Sequence, residues 1–185
     1  MIVLASASPR RRDLLSQLVS EFEVVVSEVD EDMLTTSDPR QTAESLAVAK
    51  AQAVQALRPE SVVIGADTVV ALGDVQLAKP VDAGDAIRML TMLSGRTHVV
   101  LTGCCVASPV RVESFVEETM VSFRPLSNEE IEEYVATGEP MDKAGAYAIQ
   151  GGAFSFVEAT QGSKSNVIGL PLERLEKVLR LFDAR

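Results

Sequence analysis

The stretch MIVLASASPRRRDLL, residues 1–15, constrains the fold more than any other part of the chain. Its first five residues form an apolar run rich in β-branched side chains and predict a buried strand. Ser8 followed by Pro9 predicts a helix N-cap and a first helical position, where the missing N–H of proline costs nothing. Leu14, Leu15 and Leu18 then fall on one helical face. The chain must therefore pass from strand to tight turn to helix, with the helix N-terminus facing whatever lies beyond the end of the strand. That N-terminus offers unpaired backbone N–H groups and a partial positive charge. Serine hydroxyls and the forks of Arg10, Arg11 and Arg12 beside it would make a phosphate cradle. For this stretch alone, a capped surface helix with solvated arginines remains an equally open reading.

The rest of the chain alternates between strand and helix signals. EFEVVVSEV predicts a second strand, and DEDMLTTSDPR a polar loop. Gln41 to Leu57 has helical period, with Ala43, Leu46, Ala47, Ala53, Val54 and Leu57 inward. SVVIGADTVVAL predicts a strand pair or one long bent strand, and Gly73-Asp74 a turn into VQLAKP. Asp82 caps a helix whose inward residues are Ala86, Ile87, Leu90 and Leu93, closed by Ser94-Gly95. THVVLTGCCVASPVRVESFVEETMVSF predicts a long ribbon with a hairpin near Pro109. Ser127 and Glu130 form a capping box for a helix ending near Thr137. A glycine-rich stretch of loops and short strands follows. Pro171 then opens an amphipathic helix with Leu172, Leu175, Leu179 and Phe182 on one stripe. The pattern is α/β or α+β with a mixed sheet, and no Pro/Gly/Ser linker divides it.

Composition narrows the partners. A net charge of −10 argues against a general nucleic-acid or anionic-membrane binder, which needs a broad positive face. It leaves room for a small anionic ligand in a locally positive pocket. Aromatic content of 4% with no Trp argues against stacked single strands. The adjacent Cys104 and Cys105 point to opposite faces of a strand and read as packing. No apolar run reaches the ~18 residues of a membrane helix. The opening residues lack a signal-peptide pattern, so a reducing, cytoplasmic setting is expected.

Asp67 is a lone carboxylate between two apolar stretches, a costly placement without a partner or a metal. Glu31 lies in an acidic loop. Such a pair could hold Mg²⁺ against a phosphate. Lys50, in the apolar SLAVAKAQAV, and Lys79, before Pro80, each read alone as snorkelling side chains. Together with the arginines they would offset the charge of a nucleoside triphosphate. His98, the single histidine, reads as structural. Ser163 and Ser165 in GSKSN are weaker phosphate candidates. There is no Walker A sequence and no GxGxxG.

The motifs SASPRRRDLL, VDED, AVAKAQAV, GADTVV, KPVDAGDAIRMLTMLSGRTHVVLTG, DKAGAYAIQGGA and GSKSNVIGLPLERL occur in the order seen in the Maf (septum-formation inhibitor) family. The chain resembles that family from about Leu4 to about Leu179. The resemblance implies one Maf-like domain over residues 1–185, two-lobed, with a long mixed sheet as in inosine-triphosphate pyrophosphatases and a ligand cleft between lobes. It implies hydrolysis of a nucleoside triphosphate to monophosphate and pyrophosphate with a divalent cation, Mg²⁺ or Mn²⁺, and a homodimer is typical. By the same resemblance Asp67 is the proton acceptor, and Arg10, Arg11, Lys50, Lys79 and Glu31 fall on the family's positions; joined to the residue reading above, Ser8, Arg10, Arg11, Lys50 and Lys79 are expected to hold substrate, and Asp67 and Glu31 the metal. Arg11, Thr68 and Gln150 resemble the dTTP/UTP branch. The Gln150 amide suits a uracil or thymine edge: its carbonyl accepts the ring imide N–H and its NH₂ donates to the 4-oxo group. Two alternatives stay open at this point: a nucleotide-binding regulator of septum formation with little turnover, and the same chemistry on 7-methyl-GTP.

Overall fold

The computed structural model describes residues 1–182. Strand β1 (Ile2–Ala5) runs into helix α1 (Pro9–Leu15), with Ser8 as N-cap and its hydroxyl accepting from the Arg11 N–H. Then follow β2 (Glu23–Val24), α2 (Pro39–Leu57), β3 (Val62–Leu72), β4 (Val75–Leu77), α3 (Ala83–Leu93), β5 (Thr97–Ala107), β6 (Val112–Phe123) and α4 (Asn128–Ala136). After three short 3₁₀ turns between Glu139 and Phe156 come β7 (Val157–Gln161), α5 (Lys164–Ile168) and α6 (Leu172–Leu179). The strands form one seven-stranded mixed sheet, ordered β2-β1-β3-β5-β6-β7, with β4 also on β3. β1 is parallel to β2 and β3, and the remaining pairings are antiparallel.

Side-chain alternation along β3 and β5 splits the core between the two sheet faces. Val63 and Cys105 pack with Ala47, Ala51 and Val54 of α2. Ile64, Ala66, Cys104 and Val106 face the other way, against Leu14 and Leu15 of α1 and Leu175 and Leu179 of α6. At the far end of that second face, Val70, Val100 and Phe123 pack with α3 and α4. The two cysteines thus serve two cores, and burial pushes both thiols up to about 12, so neither is a thiolate.

Two glycines let α2 lie almost on the backbone of the sheet. A Cβ on Gly65 would come within 2.4 Å of the Ala47 carbonyl oxygen, and one on Gly103 within 2.0 Å of that of Ala43. Lys50 belongs to this same helix. β3 is meanwhile paired with β5 from Val63 to Ala71, but only at its two ends on the other edge. β1 covers Val62 to Gly65 and β4 covers Val70 to Leu72. Residues 66–69 lie in the gap between them.

Three local expectations differ. The second strand shrinks to two residues, with one further hydrogen bond from the Val25 N–H to the Leu4 carbonyl. Its one partner among the described residues, β1, has four residues, and Val24 in this edge strand and Val26 just beyond it are exposed. Leu57, expected inward, is 60% exposed because α2 ends there, past its last sheet contact. GSKSN is a capped helical turn, with Ser163 accepting from the Asn166 N–H.

Candidate active site

The gap on the β3 edge opens into a cleft of about 690 Å³. Asp67 and Thr68 occupy the gap and, as neighbours in a strand, point to opposite faces, yet both line the cleft. On the Asp67 side, the Lys50 ammonium lies 2.6 Å from Asp67 Oδ1 and 2.7 Å from Glu31 Oε1. Asp67 and Lys50 are largely buried, while Glu31 opens to solvent from a 3₁₀ turn over residues 32–34. Partial burial works to raise the Glu31 pKa, but Lys50, with Lys79 and Arg11 beyond it, outweighs burial and the net shift is downward. Asp67 Oδ2 has no hydrogen-bond partner among the described residues.

On the Thr68 side, Arg11 reaches in from the first turn of α1. Its Nε donates to the Gly169 carbonyl at 2.8 Å, and its terminal nitrogens donate to Thr68 Oγ1 at 3.0 Å and Ser6 Oγ at 3.4 Å. Burial lowers the guanidinium pKa from its ordinary value, opposed by the Asp67 charge. Arg10, one position earlier, lines the cleft and makes no hydrogen bond or ion pair within the described residues. Arg12 points out to solvent beside Asp13. Lys79 borders the cleft just after β4, and Gln150, remote from Arg11 in sequence, lines the same cavity.

Nine residues that the sequence singled out for substrate, base or metal border one cavity: Ser8, Arg10, Arg11, Glu31, Lys50, Asp67, Thr68, Lys79 and Gln150; Arg12, offered with them as part of a phosphate cradle, does not. Ser163 and Ser165 do not. Their hydroxyls bond each other and the Glu173 carboxylate. His98 is buried in β5, bonded through Nε2 to the Tyr147 hydroxyl at 2.8 Å, which fits a structural role.

Sequence reasoning missed four polar residues. Ser6 accepts from both Arg11 and the Ser8 N–H. Lys143 lines the cleft, tied to the Glu139 carbonyl and to Asp142. Thr102 and Asn166 are fully buried behind Thr68. A hydroxyl within VVLTGCCV was a visible signal for Thr102, but its partner depends on strand register.

A divalent ion was expected here. Mg²⁺ is commonly held by one or two carboxylates together with substrate phosphate oxygens. Asp67 and Glu31 reach a common cationic centre, the Lys50 ammonium, so this donor set fits such an ion. Among the described residues, no group of three or more His, Cys, Asp or Glu side chains gathers as a closed metal cage. No helix among them is long and apolar enough to cross a membrane.

Residues 1–182 match the family model described as Maf-like protein. The chain is 47% identical over 183 residues to a dTTP/UTP pyrophosphatase of Desulforamulus reducens, covering 98% of this chain and 96% of that one. It is 50% identical over 181 residues to a dTTP/UTP pyrophosphatase of a Geobacillus species, covering 97% of each. Its fold is similar to the solved Ham1 protein of Staphylococcus aureus, with a TM-score of 0.56 at 15% identity and 97% of each chain covered. A HAM1 protein from Coxiella burnetii aligns with a TM-score of 0.52 at 14% identity, covering 97% of this chain and 98% of that one.

Proposed function

The chain belongs to the Maf-like protein family, and from that premise we propose that its cleft hydrolyses dTTP and UTP to the nucleoside monophosphate and pyrophosphate. The observation that carries this reading is the meeting of Asp67, Lys50 and Glu31 in the same cavity as Arg10, Arg11 and Lys79. A cluster of fixed cations beside a carboxylate is what a polyanionic tail and an attacking water both need.

Ser8, Arg10, Lys50 and Lys79 bind the triphosphate. Arg10 and Lys79 are free of protein partners among the described residues, so they meet phosphate without first breaking an ion pair. In the first turn of α1 the Arg10 backbone N–H is left for the ligand, since Pro9 has none and those of Arg11 and Arg12 donate to Ser8. Asp67 takes the proton of the water that attacks the α-phosphorus. Lys50 donates to Oδ1 of Asp67, leaving Oδ2 for that proton. The new bond joins water oxygen to the α-phosphorus, and the bond to the bridging oxygen breaks. Pyrophosphate leaves with its charge met by the surrounding cations. Asp67 and Glu31 would hold Mg²⁺ or Mn²⁺, which would supply charge neutralisation at the triphosphate. Gln150, Arg11 and Thr68 read the base. On the same reading the reaction is assigned, as a proposal, to the cytoplasm.

A panel of nucleoside triphosphates, assayed for pyrophosphate release with Mg²⁺, with Mn²⁺ and with chelator, tests this reading. Sustained turnover of UTP and dTTP is expected with metal, and its loss with chelator. A stoichiometric burst without turnover, or a preference for 7-methyl-GTP, contradicts it.

A further inference from the structure

We propose that Thr102 and Asn166 are positioning residues that lock the Thr68 hydroxyl as a hydrogen-bond acceptor toward the base, and so enforce uracil and thymine over cytosine. The inference rests on the pyrimidine-triphosphate reading above.

Thr102 is fully buried, and its Oγ1 lies 3.0 Å from the Asn166 carbonyl oxygen. A carbonyl has no proton to give, so the single hydroxyl proton of Thr102 is spent there. Thr102 Oγ1 also lies 3.0 Å from Thr68 Oγ1. With its own proton committed, Thr102 accepts, and Thr68 donates. Thr68 Oγ1 in turn receives a proton from an Arg11 terminal nitrogen at 3.0 Å. The chain runs one way: Arg11 to Thr68 to Thr102 to the Asn166 carbonyl. Thr68 has then used its proton and one lone pair inside the protein. What it keeps for a ligand is one lone pair.

The anchor is itself fixed. The Asn166 side chain, with no solvent exposure, donates to the Val100 carbonyl at 3.1 Å and to Thr119 Oγ1 at 2.9 Å. Three residues on, the Gly169 carbonyl takes Arg11 Nε. The α5 segment therefore pins both Arg11 and, through Thr102, Thr68. Register supports the pairing, since Thr68 and Thr102 are directly opposite on β3 and β5.

An acceptor at Thr68 beside a donor at Arg11 complements the imide N3–H and 2-oxo oxygen of uracil and thymine; the single N3 proton then goes to Thr68 in place of the Gln150 carbonyl expected from sequence, and the Gln150 NH₂ keeps the 4-oxo group. Cytosine in the same pose sets its unprotonated N3 against the Thr68 lone pair. A freely rotating hydroxyl would turn and donate to that nitrogen. The locked one cannot, and two acceptors face each other.

The test compares kcat/KM for UTP and CTP, with Mg²⁺, in the full chain and in Thr102→Val and Thr102→Ser. The valine variant releases the Thr68 proton, and its UTP-over-CTP ratio is expected to shrink by at least about tenfold, chiefly through a gain on CTP. The serine variant keeps the relay and the wild-type ratio. Should β5 reject valine, Thr102→Ala gives the same readout. A valine or alanine variant with the wild-type ratio, one that loses both substrates equally, or a serine variant that behaves like valine overturns the proposal. Wild type that turns over neither UTP nor dTTP overturns the pyrimidine reading itself, and this inference with it.

Discussion

Lys50 carries one positive charge between the carboxylates of Asp67 and Glu31, and this arrangement explains how a buried acid survives in the middle of a strand. An isolated carboxylate there would cost several kcal/mol, which an ammonium in hydrogen-bond contact offsets. The same pairing leaves Asp67 with one committed oxygen and one available oxygen, the state a proton acceptor needs. Gln150 presents the contrasting case. It lies on the cleft rim with its amide uncommitted among the described residues, free to pair with a ligand edge. Replacing it by glutamate puts an acceptor where the proposed reading needs a donor to the 4-oxo group. Gln150→Glu is expected to lower kcat/KM for UTP and dTTP by about ten- to a thousandfold, with the melting temperature nearly unchanged. Steady-state rates on both nucleotides check this, and unchanged rates remove Gln150 from base reading.

Helix α2 positions Lys50 only because Gly65 and Gly103 let its backbone rest on β3 and β5. Gly103→Ala sets a methyl group 2.0 Å from the Ala43 carbonyl oxygen, so the helix must move outward. A loss of about 1–3 kcal/mol is expected in urea unfolding, with a fall in activity as Lys50 withdraws from Asp67. Full activity and stability in this variant would show that the close approach has no role. Elements such as these were unequally legible in the sequence. The Ser8-Pro9 start of α1, the Asp82 cap of α3 and the Ser127–Glu130 capping box were readable because capping is local chemistry. The candidate site residues were readable as types, being charges in apolar or turn contexts. That they share a cavity was not, because it depends on the gap between β1 and β4 on the edge of β3. The Thr68–Thr102–Asn166 chain was hidden for a similar reason: it spans 98 positions of sequence and exists only once the register of β3 against β5 is set. The shortness of β2 was equally non-local, being set by the length of its neighbour.

At the scale of the whole molecule, the sheet separates two tasks. One face holds α2 and the Asp67 carboxylate, the other holds α5 with Arg11 and Thr68, and the gap in β3 opens both to one cleft. The core beyond the cleft adds a pH dependence through His98. Its ring packs edge-on against Phe123 and Tyr147, and burial pushes its pKa down to about 4. In the unfolded chain the imidazole titrates near its ordinary value of about 6.5. Its contribution to stability is complete above that value. It falls as pH drops toward about 4, because only the unfolded chain takes up the proton. Wild type is expected to lose up to about 2 kcal/mol more than His98→Gln between pH 7 and pH 5 in urea unfolding. Equal losses would show that the imidazole is protonated within the fold. The cleft itself is tested most directly by pyrophosphate release from dTTP and UTP in wild type and Asp67→Asn, which keeps shape and removes the proton acceptor. The account predicts a fall in kcat of at least about a hundredfold with the fold intact. Wild-type turnover by Asp67→Asn would contradict it.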